Sequence, residues 1–404
     1  MDAEVISIGD ELTSGQRLDT NSQWLSQKLA ELGVRVLYHT TVGDDMAANV
    51  RVFREAISRA GLVVCTGGLG PTADDLTRQS LAETLGVELV LDPASLAHIE
   101  ALFARRRGRP MPESNRIQAM FPAGSRVIPN PHGSAPGIDL DSRRADGSTS
   151  RVFSLPGVPA EMKEMWEATV APAIAAMTGG GGGKIVHQAI RCFGVGESDL
   201  EAMLPDIIRR GRIPSVGITA SQATLTLRIT AEGATREDAL KSMEPTIATI
   251  HQCLGELVFG RDEEEVHHGL LRELKQRGKT LATIECGTTG KMAHALAEAD
   301  RDHSTFVGAT IAPTLGDSQE KGEAQVVAAA ESARSQFGAD FGIAIGEFPE
   351  STPGQELPSA WIAVVGSDWK TTRELTLTGH PEIIAPRVAK TAMNLLRIAV
   401  RKTP

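Results

Sequence analysis

Aromatic residues are scarce in this chain: Phe, Trp and Tyr together make up 4% of it, with a single tyrosine. Its cores must therefore be built from aliphatic side chains. Cysteine is scarcer still. Cys65, Cys192, Cys253 and Cys286 stand far apart with no CxxC pair among them. That spacing gives neither a zinc site nor a disulfide framework, and it fits a reducing compartment. Positive charge is also short, since 41 Lys and Arg against 51 Asp and Glu leave a formal charge of -10. With no long basic run to offset it, direct binding of nucleic acid is not expected. No segment reaches the 18 or so apolar residues of a membrane span. The opening stretch MDAEVISIGDELTSG carries acids where a secretion signal needs a basic flank. The expectation is a cytoplasmic protein that engages neither membrane nor nucleic acid.

Length and aliphatic core material are plentiful. Hydrophobic residues form 41% of 404, and a chain of this size suggests two or three domains at about 150 residues each. The clearest seam is TGGGGGK, 178–184, where five consecutive glycines read as a flexible linker. A second falls at FGRDEEEVHHG, 259–269, whose acidic cluster could also begin a helix. Domains are expected over 1–178, 184–258 and 262–404.

Before the first seam, strands alternate with helices. AEVISIG (3–9), VRVLYHTTVG (34–43) and LVVCTGG (62–68) read as strands. NSQWLSQKLAELG (21–33), MAANVRVFREAISRAG (46–61) and DDLTRQSLAETLG (74–86) read as helices, the first stopped by Gly33. The pattern predicts an α/β domain with a doubly wound parallel sheet covered on both faces, its ligands bound beyond the carboxyl ends of the strands. Residues 184–258 predict a small α+β domain, with a half-buried strand at 224–229 and helices from Glu197 and over 235–254. KTLATIECG, FGIAIGEFP and SAWIAVVGSD predict strands of a second α/β domain, with helices such as 321–337.

The stretch with the most chemistry is TGGLGPTADDLT, 66–77. Gly67, Gly68 and Gly70 allow backbone N–H groups to approach a ligand, and a helix starting near Asp74 would aim its amides at the same loop. Together these make a phosphate cradle. An acid beside bound phosphate needs a cation between them, so Asp75 or Asp74 is a candidate ligand for a hard metal. The plainer alternative is that Asp74 caps the helix and the glycines only turn the chain. NPHGSAPG, 130–137, is too rich in proline and glycine for a helix or strand and reads as a shaped loop. LPGVPAEMKEMW, 155–166, again joins a strand end to a helix through a glycine, with Glu161 in the first helical turn.

Four stretches, IGDELTSGQRLDTNSQWLSQKLAELG, TGGLGPTADDLT, NRIQAMFPAGSRVIPNPHGSAPG and LPGVPAEM, occur in the order and spacing of the CinA (competence/damage-inducible protein A) family, which the chain resembles over essentially its whole length. The resemblance implies a molybdopterin-binding-like first domain that hydrolyses ADP-ribose to AMP and ribose 5-phosphate with a divalent metal (Mg, Mn or Co). Matching positions nominate Glu11, Asp75 and Asp74 as catalytic. Asn21, Gly67, Gly68, Gly70 and Thr72 would bind substrate, with Gly133, Ser134, Pro156, Gly157 and Glu161 from the two later loops. Asp75 and Asp44 would hold the metal, although Asp44 could instead cap the helix from Met46. Two other readings of the same cradle are a nucleotide- or pterin-binding protein without turnover and adenylyl transfer to molybdopterin. The middle domain resembles the family's KH-like insert. Its GVGESD brings Glu197 and Asp199 where a nucleic-acid-binding KH loop has basic neighbours, so a spacer or dimer element is expected, and a homodimer as the assembly.

The family's last domain usually resembles nicotinamide mononucleotide deamidase, with a strand leading into ESCTGG, whose serine is the nucleophile, and a later tyrosine and lysine. Here the segment reads ECGTTG, 285–290, with Cys286 at the serine position. TIAPTLGDSQEK, 310–321, lacks the tyrosine and has Lys321 as its first lysine, and GEFPESTPG, 346–354, replaces a glycine-rich stretch. A thiol can replace a hydroxyl only with an activating base. None is evident in the sequence, so this domain is expected to be a non-catalytic relic.

Overall fold

The computed structural model describes residues 1–107, 110–178, 183–316, 322–349 and 357–402. The centre of the predicted glycine linker, Lys321 and residues 350–354 of the altered segment lie outside these. Contacts divide the chain into two compact units, Met1–Val186 with Glu232–Ser242, and His187–Ala231 with Met243–Pro404.

In the first unit, β1 (Asp2–Ile8), β2 (Arg35–Val42) and β3 (Leu62–Thr66) form on the apolar runs, linked by α1 (Thr20–Glu31) and α2 (Met46–Arg59). The Asp19 carboxylate starts α1 by accepting from the Ser22 amide at 2.9 Å, and the chain leaves it through Gly33 at φ 73. Asp45 does the same for α2, accepting from Ala48 at 2.8 Å. Asp44 is therefore not the cap of that helix. Next come α3 (Thr77–Leu85), β4 (Arg126–Ile128), β5 (Gly137–Arg143), β6 (Thr149–Leu155) and α4 (Pro159–Met165).

The six-stranded sheet has the order β2-β1-β3-β6-β5-β4. β2, β1, β3 and β6 are parallel, whereas β5 is antiparallel to both β6 and β4. The parallel sheet expected from the alternation is present in these four strands and continues into an antiparallel edge. Residues 137–155 make a hairpin, and a short turn can only reverse the chain, while a parallel neighbour needs a long crossover. Both faces of the central strands are covered. Val63 and Cys65 of β3 pack with Ile6, Phe53 and Leu81, and Leu62 and Val64 pack with Val5, Leu25 and Trp166. Each such aliphatic side chain contributes about 1.5–3 kcal/mol by leaving water. That two-sided burial explains why β3 reads as an unbroken apolar run.

Two further sheets follow along the chain. β7 (Lys184–Cys192), α5 (Glu197–Met203), β8 (Ser215–Ser221), β9 (Thr224–Gly233), α6 (Arg236–Leu254) and β10 (Val258–Arg261) form a sheet of order β8-β9-β7-β10 with its helices. β10 returns to pair with β7, so residues 258–261 complete this sheet rather than separate it from the last one. α7 (Val266–Gln276) then begins at Glu265, whose side chain and that of His268 form a reciprocal capping box. The last sheet contains β11 (Leu281–Glu285), β12 (Phe306–Ile311), β13 (Phe341–Ile345), β14 (Ser359–Val365) and β15 (Lys370–Thr376), in the order β12-β11-β13-β14-β15. α8 (Lys291–Ala299), α9 (Glu323–Gln336) and α10 (Pro381–Lys402) pack around it. No described helix is long and apolar enough to cross a membrane.

Candidate functional site

β1, β3 and β6 all end at one edge of the first sheet, and the loops that leave them wall a cleft of about 520 Å³. That volume lies within the about 300–1,000 Å³ usual for small-ligand sites. Glu11, Asp44, Gly67, Gly68, Gly70, Thr72, Asp74, Asp75, Ser134, Pro156, Gly157 and Glu161, all expected from sequence, line it. A smaller lobe of about 50 Å³ adjoins and shares Glu11, Gly67 and Gly157, and Asn21 lines it. Gly133 is buried behind the wall, its amide donating to Asn130 Oδ1 at 2.7 Å.

The glycine loop is held from within. Thr77 Oγ1 donates to the Gly67 carbonyl at 2.9 Å and the Thr77 amide to that of Gly68 at 3.2 Å. The Leu69 carbonyl accepts from the buried Arg78 at 3.0 Å and from Gln118 at 3.3 Å. Gly67 and Gly68 have φ of 102 and 64, the left-handed region that favours glycine. A Cβ would strike the Ile8 carbonyl oxygen at the first and the Thr77 hydroxyl at the second. Glycine is thus demanded here by the protein's own packing, a different reason from the expected close approach of a ligand.

A further expectation, the helix start at Asp74, is corrected. α3 begins at Thr77, not at Asp74, and its first amide is spent on the Gly68 carbonyl, so Asp74 does not cap it. Asp75 turns inward: its carboxylate accepts from the Gly70 amide at 2.7 Å, from the Thr72 amide at 2.9 Å and from the Thr72 hydroxyl. The turn 71–75 intervenes because an Asp closing three local donors stabilises a loop better than it continues a helix. The Asp75 carboxylate therefore holds the loop's shape.

The remaining acids converge. Asp10 and Asp44 exchange hydrogen bonds, each amide donating to the other's carboxylate at 2.9 Å. Partial burial, with repulsion from Asp10, Asp74 and Glu11, holds the Asp44 carboxyl above its usual range. The exposed Asp74 is held below it by the nearby Thr72 hydroxyl. Asn21 Nδ2 bridges Thr66 Oγ1 at 3.2 Å and the Gly157 carbonyl at 2.9 Å, tying two strand ends together. Glu161 accepts from Asn130 Nδ2 at 2.7 Å, so the loop after β4 is pinned to the first turn of α4.

Among the described residues no three His, Cys, Asp or Glu side chains are arranged to hold a metal ion outright. The donor set nonetheless suits a hard cation, because Glu11, Asp44 and Asp74 offer carboxylate oxygens to one cleft. A magnesium-type ion usually takes only one or two carboxylates and completes its shell with water and substrate phosphate. Asp10, Arg17 and Gln118 are not among the residues expected from sequence. Asp10 stands at the strand end beside Glu11 and was legible there. Gln118 arrives from the distant NRIQAM stretch, which belongs to one of the four motifs but gave no role to this residue.

Cys286 is 4% exposed at the end of β11. Burial, with the nearby carboxylates of Glu347 and Glu285, pushes its thiol up to about 11. A nucleophilic cysteine needs the opposite shift. Glu285 is buried and occupied, accepting from Thr288 Oγ1 at 2.6 Å and from the amides of Met292 at 3.0 Å and Ala293 at 2.6 Å.

Fold and cleft together define the first unit as a molybdopterin-binding-like α/β domain, and residues 4–176 match the family described as "Probable molybdopterin binding domain". Residues 187–260 match "Damage-inducible protein CinA KH domain". A competence-damage inducible protein of Lysinibacillus sphaericus (strain C3-41) is 35% identical over 384 residues, 91% of this chain and 90% of the relative. One from Symbiobacterium thermophilum is 42% identical over 293 residues, 72% of this chain and 68% of its own. The crystal structure of the protein CinA with unknown function from Thermoplasma acidophilum is 34% identical, covering 43% of this chain and 97% of that one at a TM-score of 0.39. The chain belongs to the CinA family.

Proposed function

We propose that the first domain hydrolyses a nucleoside diphosphate sugar, with ADP-ribose as the substrate and AMP and ribose 5-phosphate as products. The observation that carries this reading is the crowding of Asp44 by Asp10, Asp74 and Glu11 in the cleft walled by the glycine loop. Carboxylates set against one another at the carboxyl edge of a sheet make a place for positive charge, and a diphosphate brings its cation with it. Water adds to one phosphorus, the bridging P–O bond breaks toward the other phosphate, and protons leave to solvent. Glu11 and Asp74 are the carboxylates suited to hold the attacking water or the cation. When bound, a divalent cation supplies neutralisation of the phosphate oxygens and activation of water. Asp75 contributes by keeping the loop of Gly67, Gly68 and Gly70 in shape.

A second reading, nucleotide or pterin binding without turnover, is favoured by the lack of a ready-made three-ligand metal site among the described residues. One assay separates the two. The full chain is incubated with ADP-ribose, with and without Mg²⁺, Mn²⁺ or Co²⁺, and AMP is measured. Metal-dependent AMP release supports the hydrolase, whereas saturable ADP-ribose binding with no AMP under any metal refutes it and leaves the binder. For the last domain we propose no catalytic role, because the Cys286 thiol stays protonated at neutral pH. Ammonia released from nicotinamide mononucleotide, and lost in Cys286→Ala, would overturn that part.

A further inference from the structure

Among the residues that line the main cleft, five are carboxylates, Glu11, Asp44, Asp74, Asp75 and Glu161, and one is a cation, Arg17. Arg17 also lines the smaller lobe, so it stands where the two lobes meet. Its place is set by the backbone. The Arg17 amide donates to the Glu11 carbonyl at 3.0 Å, folding residues 14–17 back over the short helical turn Asp10–Thr13, and two residues later Asp19 anchors the loop to α1. The side chain is exposed, and among the described residues its guanidinium has neither an ion-pair nor a hydrogen-bond partner.

An arginine among so many acids would ordinarily close on one of them. One that stays free at the junction of a cleft is available to a ligand, and its planar fork matches two oxygens of a phosphate. The surrounding carboxylates repel that same phosphate, which makes the one cation among the lining residues decisive for where an anion can sit. The geometry points to Arg17 as the residue that grips a ligand phosphate at the meeting of the two lobes and so selects diphosphate-bearing ligands. The glycine loop lies to one side of that phosphate, and Leu12 and Leu18 lie to the other, in the smaller lobe. This rests on the ligand class proposed above and adds the residue that recognises it.

The test is calorimetric titration of the full chain in Mg²⁺ with ADP-ribose, inorganic pyrophosphate and adenosine. Arg17→Ala should weaken ADP-ribose and pyrophosphate by about 10- to 100-fold, the scale of a lost charge-assisted hydrogen bond. Arg17→Lys should recover part of the loss, since it returns the charge without the fork. Mn²⁺ binding measured alone should be unchanged or tighter in Arg17→Ala, because a repelling charge has gone. Unchanged pyrophosphate affinity in Arg17→Ala overturns the inference, as does an equal loss of Mn²⁺ binding or a wild type that binds neither phosphate ligand. If the wild type binds both through Arg17 but releases no AMP, the hydrolase reading falls and Arg17 stands. If Arg17→Ala cleaves ADP-ribose with unchanged KM, the reverse holds.

Discussion

Neutralising Asp44 separates what its charge does to the fold from what it does for a ligand. The half-buried carboxyl is raised by burial and by Asp10, Asp74 and Glu11. A native carboxyl whose pKa lies above its unfolded value binds its proton more tightly in the fold, so stability falls as pH rises through the raised value. At neutral pH the ionised Asp44 is therefore repulsive. After solvent screening, burial and repulsion together amount to about 1 kcal/mol. Asparagine keeps an oxygen for the Asp10 amide, now bonded at 2.9 Å. Asp44→Asn should thus stabilise the metal-free first unit by about 1 kcal/mol, or roughly 2–4 °C for a unit of this size. On the function proposed above, a divalent cation should reverse the sign. At about 100 times its Kd it should stabilise the wild type by about 2.7 kcal/mol, roughly 5–10 °C, and the variant by much less. Scanning calorimetry of the full chain at neutral pH, in EDTA and in saturating Mg²⁺ or Mn²⁺, reads both effects. A variant less stable than the wild type in EDTA, or an equal metal shift in the two proteins, would refute the reasoning.

Asp75→Asn leaves an amide that cannot accept from all of Gly70 N, Thr72 N and the Thr72 hydroxyl. The loop should lose about 1–3 kcal/mol of local stability, seen as faster hydrogen exchange at Gly70 and Thr72, and unchanged protection would show that the carboxylate does not hold it. Thr289 sits at φ 50, where the family motif has glycine, and a β-branched residue there is strained. Relief of roughly 1–2 kcal/mol outweighs the chain entropy that glycine adds, so Thr289→Gly should raise the denaturation midpoint of the second unit slightly; a lower midpoint counts against strain. A thiol pushed up to about 11 from 9.0 carries about 100-fold less thiolate at neutral pH. Native Cys286 should accordingly resist iodoacetamide, followed by mass spectrometry, and rapid labelling would contradict the burial.

Much of this molecule was legible in one dimension. β3 announces itself as an aliphatic run because burial on both faces leaves almost no polar position to interrupt it. The motifs around Glu11, Asn21, Gly67, Thr72 and Gly157 mark strand ends, and strand ends of a parallel sheet share one edge. β15 was not legible, since it is largely exposed and shows no apolar period. Nor was the reversal at β5, which depends on a turn too short for a crossover. Direction was the other hidden quantity. From sequence, Asp74 and Asp75 are two adjacent acids of equal promise, and Asp44 and Asp45 are another such pair. Only the folded backbone turns Asp75 into its own loop and Asp45 onto its helix, leaving Asp44 and Asp74 with Glu11 in the cleft. Residue type and spacing determine which groups reach the site's edge. The dihedral angles of a loop and the donors it leaves unpaired decide which of them face the cleft.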